Sequence, residues 1–398
     1  MFKSSAMNSK LLPRGMIAVL IAQFLSALAD NALLFAAIAI LRSHATPSWQ
    51  IPLLQEFFVA TFIVLAPFVG PFADAYPKGR VMLITNTIKL LGALAMLFGL
   101  HPLLAYGVVG VGAAAYSPAK YGILGELVDA DKLVKANGMM EGSTIVAILL
   151  GAVVGGSLAS SSVTNALIAV CICYLLAAIA NSRIPRLSAA HTMQGFAPAL
   201  LVRDFFRALV TLLLDLDSRF SLLGTSVFWG AGSTLRLLLV AWVPIALGIY
   251  DLSMPANMSG AVAIGIAVGA IAAARFVSLS KVNRALPAGM LIGLLIIAFA
   301  HLSHLYTAIA MLVLIGACGG FYVVPLNALL QERGQQSVGT GHAVAVQNFF
   351  ENCAMLLLVG LYTLMDKAGI AVVQSATIFG SVVLAAISAL AISRLNEK

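Results

Sequence analysis

The sequence predicts an all-α polytopic membrane protein with 12 transmembrane helices in two six-helix halves, and three observations predict it. The first is composition. Of 398 residues, 61% are hydrophobic and 10% charged, whereas a soluble domain is about 45–50% apolar and about 25% charged. That balance excludes a soluble enzyme, a nucleic-acid module and a disordered chain. About 20 apolar residues make one span, so roughly 243 apolar residues make roughly 12. The second is the placement of basic residues, and the third is an internal repeat.

Apolar runs fall near 15–41, 51–73, 81–100, 103–124, 137–159 and 163–182. Six more follow a polar stretch, near 220–249, 257–279, 287–302, 305–330, 343–366 and 370–393. The first run exceeds the roughly 7–15 residues of a signal-peptide core, so it is expected to be retained. An even count puts both termini on one side. If that side is cytoplasmic, it carries eighteen Lys and Arg, among them Lys78, Arg80, Arg203, Arg207, Arg333 and Arg394. The other side carries two, Arg42 and Lys367. Cytoplasmic loops hold the Lys/Arg excess, so the +8 balance reads as topology. Cys171, Cys173, Cys318 and Cys353 all lie in apolar runs and read as small buried residues.

The domain expectation follows: an N-terminal bundle over 1–182, a cytoplasmic linker over 183–219 and a C-terminal bundle over 220–398. In the linker, Arg203, Arg207, Thr211 and Asp215 recur every four residues among Leu, Val and Phe, an amphipathic helix. It suits the membrane surface, where Arg attracts anionic headgroups, or a plain linker between the bundles.

The repeat pairs Gly112 to Pro118 with Gly319 to Pro325, Leu124-Gly-Glu126 with Leu330-Gln-Glu332, and Asn137 to Glu141 with Gln347 to Glu351. Offsets stay between 206 and 210, so runs four and five correspond to ten and eleven. Equivalent helices then point the same way, a parallel repeat about an axis along the membrane normal.

A charge at mid-span costs about 2.5–3.5 kcal/mol even on the lenient scale, so such residues are functional candidates. Asp30, followed by Asn31, lies mid-way along run one, and Arg236 along run seven. Aligning Phe24 with Phe228 sets Asp30 opposite Thr234 and Ala32 opposite Arg236. Asp30 and Arg236 are therefore expected to line one central cavity; an ion pair locking the halves is the alternative. Lys120, Tyr121 and Glu351 are expected at that cavity too, with Asn327, Gln347 and Asn348 adding hydrogen-bonding groups. Lys89 and Glu141 read as snorkelling side chains, a reading also open for Lys120 and Glu351. Arg offers a planar fork to phosphate, and a carboxylate can face an ammonium, so a zwitterionic or anionic headgroup would suit this lining. Gly151-x-x-x-Gly155 and Gly265-x-x-x-Gly269 let helices approach closely.

Between runs two and three stands Gly70-Pro-Phe-Ala-Asp74-Ala-Tyr-Pro-Lys-Gly79-Arg80. It resembles the loop signature of the major facilitator superfamily. There the turn needs Gly79, Asp74 pairs with Arg80 or caps a helix, and the loop stabilises one state of the cytoplasmic gate. The second-half counterpart, Ser280 to Arg284, lacks the Gly and Asp. Four longer blocks sharpen the likeness: Ala22 to Phe35, Ala113 to Glu126, Trp229 to Arg236 and Val324 to Arg333. They resemble the bacterial lysophospholipid transporter family, and the similarity covers essentially the whole chain. The resemblance implies a flippase of the bacterial inner membrane that moves lysophosphatidylethanolamine and related lysophospholipids from the outer to the inner leaflet. It implies a functional partner, a cytoplasmic acyltransferase/acyl-carrier-protein synthetase that restores the second chain. It makes Asp30, Asn31, Lys120, Tyr121, Arg236 and Glu351 the headgroup candidates and implies no cofactor.

Two rivals are open to test. An exporter of amphipathic drugs would use the same fold, and net direction discriminates it. A membrane acyltransferase needs a base near an acid, as in His-x-x-x-x-Asp, and none of the six histidines has an Asp five residues on. The chain also lacks the Gly-x-x-x-x-Gly-Lys-Ser/Thr phosphate loop.

Overall fold

A computed structural model of the chain describes residues 14–127, 133–185 and 198–396. The first half holds α1 (Arg14–Ser43), α2 (Gln50–Ala75), α3 (Lys78–Leu97), α4 (Pro102–Gly122), the short α5 (Leu124–Leu127), α6 (Leu133–Ser161) and α7 (Val163–Ser182). The linker contributes α8 (Pro198–Leu214). The second half holds α9 (Leu216–Leu247), α10 (Ser253–Phe276), a 3₁₀ segment (Leu279–Ala285), α11 (Leu286–Ala300), α12 (Leu305–Ser337), α13 (Thr340–Lys367) and α14 (Val372–Asn396). No strand occurs among the described residues.

Helix ends follow local chemistry. The Ser162 hydroxyl accepts from the Asn165 amide at 3.3 Å and starts α7, and the Asp215 carboxylate accepts from the Ser218 amide at 2.9 Å and starts α9. Gly248, at φ 68°, stops α9 in the left-handed conformation that glycine adopts without penalty.

Eleven of the described helices are long and apolar enough to cross a membrane. The expected twelve differ by α4, which trades apolar bulk for glycine. Its Gly110 and Gly112 press on Phe58 of α2 and on Thr85 and Lys89 of α3, where a Cβ would stand 2.7–2.8 Å from the nearest atoms.

The repeat is visible in the packing. The pairs α1–α6, α2–α4 and α3–α7 recur as α9–α13, α10–α12 and α11–α14. Pro118 and Pro325, matched by the repeat, both lie inside their helices, α4 and α12. The halves meet along two seams, α2 against α13 and α6 against α10. Both glycine pairs serve helix packing. Gly151 and Gly155 admit Leu28 and Ala32 of α1, while Gly265 and Gly269 admit the Val313 and Ala317 carbonyls of α12.

The face where α1 begins and α14 ends is tied by ions. Lys78 pairs with Glu126 at 2.6 Å in the first half. In the second, Asp217 accepts from both Arg333 and Arg394, and Arg394 lies 5.0 Å over the Phe220 ring. Helix α8 packs one face on the bundle here and leaves Phe206, Val210 and Leu214 exposed on the other. Its Phe205, Ala208 and Leu212 are buried with Leu222 of α9, Ala66 of α2 and Val346 of α13, and Phe205 meets Phe349 edge-on at 5.5 Å. Arg203 and Arg207 point outward.

The loop signature is built differently from its expectation. The turn is made by extended Tyr76 and by Pro77, and Gly79 lies inside the first turn of α3 with no positive φ. Gly79 is small because Ile184, just past α7, fills the space; a Cβ there would stand 2.9 Å from Ile184 Cγ2. Arg80 is exposed. The side chains of Asp74, Tyr121 and Glu141 lie outside those the structure describes.

Candidate functional site

The polar groups near the bundle axis fall into three clusters. The first joins the halves. The Arg236 guanidinium on α9 donates to the Asn31 side-chain oxygen on α1, and Asn31 is steadied by donating to the Ala27 carbonyl at 2.8 Å. This contact defines which face of each helix looks toward the axis. Side chains recur on one helix face every three or four residues. The Asn31 face of α1 therefore continues through Leu28, Phe24, Ile21 and Ile17. The Arg236 face of α9 continues through Ser233, Gly232 and Trp229. Both strips are accessible: Ile17 and Ile21 are 43% and 48% exposed and Trp229 is 40% exposed, and nothing lies within 4 Å of a Cβ built at Gly232. The strips bound an axial cleft with apolar walls.

The cleft closes at the face opposite the chain ends. Leu33 to Ile38 of α1 and Leu237 to Val240 of α9 are buried. Arg42 reaches across to the Val240 carbonyl at 2.8 Å. On the α9 side it is floored by α8: Leu222, two turns below Trp229 on the same face, is fully buried.

The second cluster lies within the first half. Lys89 of α3 is 2% exposed, and its Nζ stands 2.7 Å from one Asp30 oxygen and 3.0 Å from the Ser26 hydroxyl. The Tyr174 hydroxyl donates to the other Asp30 oxygen at 2.7 Å, and Ser26 donates to Asn86 at 2.7 Å. Lys89 Nζ also lies 5.0 Å from the Tyr116 ring centroid, within cation–π range. This corrects two sequence expectations. Lys89 does not snorkel. Asp30 is paired inside its own half, and Arg236 faces Asn31 instead; Thr234 donates to the Gly230 carbonyl of its own helix at 2.9 Å. Successive helix residues are about 100° apart, so Asp30 and Asn31 serve different neighbours.

The third cluster is in the second half. The Gln347 amide on α13 donates to Asn327 of α12 at 2.7 Å and to Glu351 at 2.8 Å. Glu351 is 7% exposed. Asn348, next along α13, reaches Ser117 of α4 at 3.4 Å and so touches the other half. Lys120 is buried on α4. Among the described residues no group of three or more His, Cys, Asp or Glu could hold a metal ion.

The Asp30–Lys89 network was missed from the sequence, although two signals pointed to it. Gln23, Ser26 and Asp30 form a polar stripe on α1, and Thr85, Asn86 and Lys89 form one on α3. Buried polar stripes must satisfy one another, because an unpaired buried group is costly.

Two repeated helical halves around polar groups gathered at the axis are the construction of a secondary transporter. Comparison with known proteins agrees. The Major Facilitator Superfamily profile matches residues 19–359. The lysophospholipid transporter LplT of Serratia proteamaculans is 56% identical over 391 residues, 98% of each chain. That of Yersinia enterocolitica is 56% identical over 373 residues, 94% of this chain and 92% of its own. Among solved structures, a bacterial homolog of the human lysosomal transporter Spinster covers 98% of this chain and 99% of its own, with TM-score 0.72 and 14% identity. The nucleoside transporter NupG covers 96% and 99%, with TM-score 0.71 and 12% identity. These two share the fold. The chain belongs to the major facilitator superfamily and, within it, to the lysophospholipid transporter family. Its fold and its relatives are those of transporters, not enzymes.

Proposed function

We propose that the chain is a lysophospholipid flippase of the bacterial inner membrane, with both termini cytoplasmic, carrying lysophosphatidylethanolamine and related lipids from the outer to the inner leaflet. The observation that carries this reading is Arg236. A guanidinium in the bilayer whose one hydrogen-bond partner among the described residues is the neutral Asn31, at the apex of a cleft with apolar walls, has donors to offer a phosphate and greasy surface to offer one acyl chain. The names of the relatives support the substrate class. The eighteen-to-two split of basic residues supports the orientation.

Roles follow from the clusters. Arg236 and Asn31 take the phosphate. Glu351, held by Gln347, takes the ammonium, while Asp30 is held by Lys89 and Tyr174. Asp30 then sets the pitch of α1 and the pose of Asn31. Lys120 completes the lining on α4, and Tyr121 is a headgroup candidate by the family resemblance alone. Transport is rocking of the halves about the axis, with the domains at 1–182 and 220–398 as the moving bodies and 183–219 joining them. Asp74, Gly79 and Arg80 act in the cytoplasmic gate. A diacyl lipid needs twice the apolar wall, which selects against it. The delivered lipid is consumed by a cytoplasmic acyltransferase/acyl-carrier-protein synthetase.

The test is leaflet transfer in vesicles reconstituted with the purified chain. Lysophosphatidylethanolamine should cross and its diacyl counterpart should not. Equal rates for both lipids, or outward proton-coupled export of amphipathic drugs in their place, would overturn the reading.

A further inference from the structure

A cavity of mixed lining lies at the opposite end of the bundle from α8. It has a volume of about 480 Å³ and is lined by Ala39, Arg42, Ser160, Ser161, Tyr250 and Asp251 among others. Small-ligand pockets run from about 300 to 1,000 Å³. The lining comes from both halves. Arg42 ends α1, Ser160 and Ser161 end α6, and Tyr250 and Asp251 form the turn between α9 and α10.

Arg42 is built in. Pro244 has no N–H and leaves the Val240 carbonyl, one turn earlier in α9, without its helical donor. Arg42 supplies that donor at 2.8 Å. A guanidinium has five N–H donors, and this is the one bond Arg42 makes among the described residues. The cation is thus anchored at a fixed height in the cavity wall. Asp251 supplies the opposite charge. It accepts from the Ser253 amide at 3.0 Å and the Ser253 hydroxyl at 2.6 Å. These bonds, with the Ser160 hydroxyl of the other half, hold its carboxyl below the usual range, so it is ionised at neutral pH. Tyr250, 79% exposed at the rim, is the residue type favoured at headgroup depth. Below the rim, Val154, Leu150 and Val146 make an exposed apolar strip down α6.

We infer that this cavity is a loading site for a phosphoethanolamine headgroup arriving from the outer leaflet, with Arg42 on the phosphate, Asp251 on the ammonium and the single acyl chain along α6. The inference rests on the flippase reading and adds to it a first point of headgroup selection. Arg42 lies eleven positions beyond Asn31 on α1, about 16 Å of helix, so the headgroup is checked one step before it reaches Arg236.

The experiment compares initial transfer rates of lysophosphatidylethanolamine and lysophosphatidylglycerol in reconstituted vesicles, across a concentration series. Glycerol carries no ammonium. Asp251→Asn should raise KM for the ethanolamine lipid about tenfold and leave the glycerol lipid and both kcat values near wild type. Arg42→Gln keeps a donor for Val240 and removes the charge; it should raise KM for both lipids. Equal losses of kcat for the two lipids in both variants would mark the cluster as a gate contact and overturn the proposal. So would unchanged KM values. A wild-type chain that moves neither lipid would overturn the flippase reading and this site with it, whereas normal transfer with unaltered selectivity in Asp251→Asn would overturn this site alone.

Discussion

Replacing Lys89 with Met tests the internal architecture of the first half. Lys89 Nζ lies 2.7 Å from Asp30. At an effective dielectric of about 20, that separation gives a gross attraction of about 6 kcal/mol, most of it offset by removing both charges from water. Deleting one partner of such a pair is different from deleting both. It leaves an uncompensated buried charge and costs about 3–5 kcal/mol. Lys89→Met should therefore lower the apparent melting temperature in detergent strongly, and Asp30→Asn should restore part of it when added to Lys89→Met. The readout is thermal unfolding followed by size-exclusion chromatography. A Lys89→Met protein as stable as wild type, or a double variant worse than either single change, would refute the claim that Asp30 is held by Lys89. It would also reopen Asp30 as a direct substrate ligand.

Other consequences are specific to single contacts. Gly79→Val should destabilise the α2–α3 corner by about 1–3 kcal/mol, since its Cβ would press on Ile184; Ile184→Ala should relieve it, read by the same unfolding assay. Phe205→Glu should detach α8 from Phe349 and Leu222 and speed proteolytic cleavage of the linker, with the transmembrane bundle still folded. Headgroup selectivity set by Asp251 should stay flat as pH falls from 8 to about 5. It should fade only below the ordinary carboxylate range near 3.9, because the folded-state carboxyl is held lower still and the charged form is lost only as pH drops through that lowered value.

Much of the bundle was legible because it follows from the solvent. Long apolar runs, Gly-Pro punctuation and the repeat at Pro118 and Pro325 each constrain a whole helix, so small errors of alignment do no harm. The site is less forgiving. An alignment by Phe24 and Phe228 is off by one residue at Arg236, and one residue turns a side chain by about 100°. That is the difference between an Asp30–Arg236 pair and the observed Asn31–Arg236 contact. Burial arguments single out Asp30, Arg236 and Glu351 as costly groups, but cost does not name a partner. Lys89 looked able to snorkel because its distance from the helix end was counted and its facing stripe, Thr85 and Asn86, was not. Gly79 was assigned to a turn because glycine has two common uses, and sequence does not separate backbone freedom from close approach.

The measurement closest to the central claim is the initial rate of lysophosphatidylethanolamine transfer by Arg236→Gln and Glu351→Gln in reconstituted vesicles, with wild type alongside. A hydrogen bond to a charged group contributes about 1.5–3 kcal/mol, so each change should slow transfer by roughly ten- to a hundredfold while the protein stays folded. Wild-type rates in both variants would contradict a headgroup held between α9 and α13.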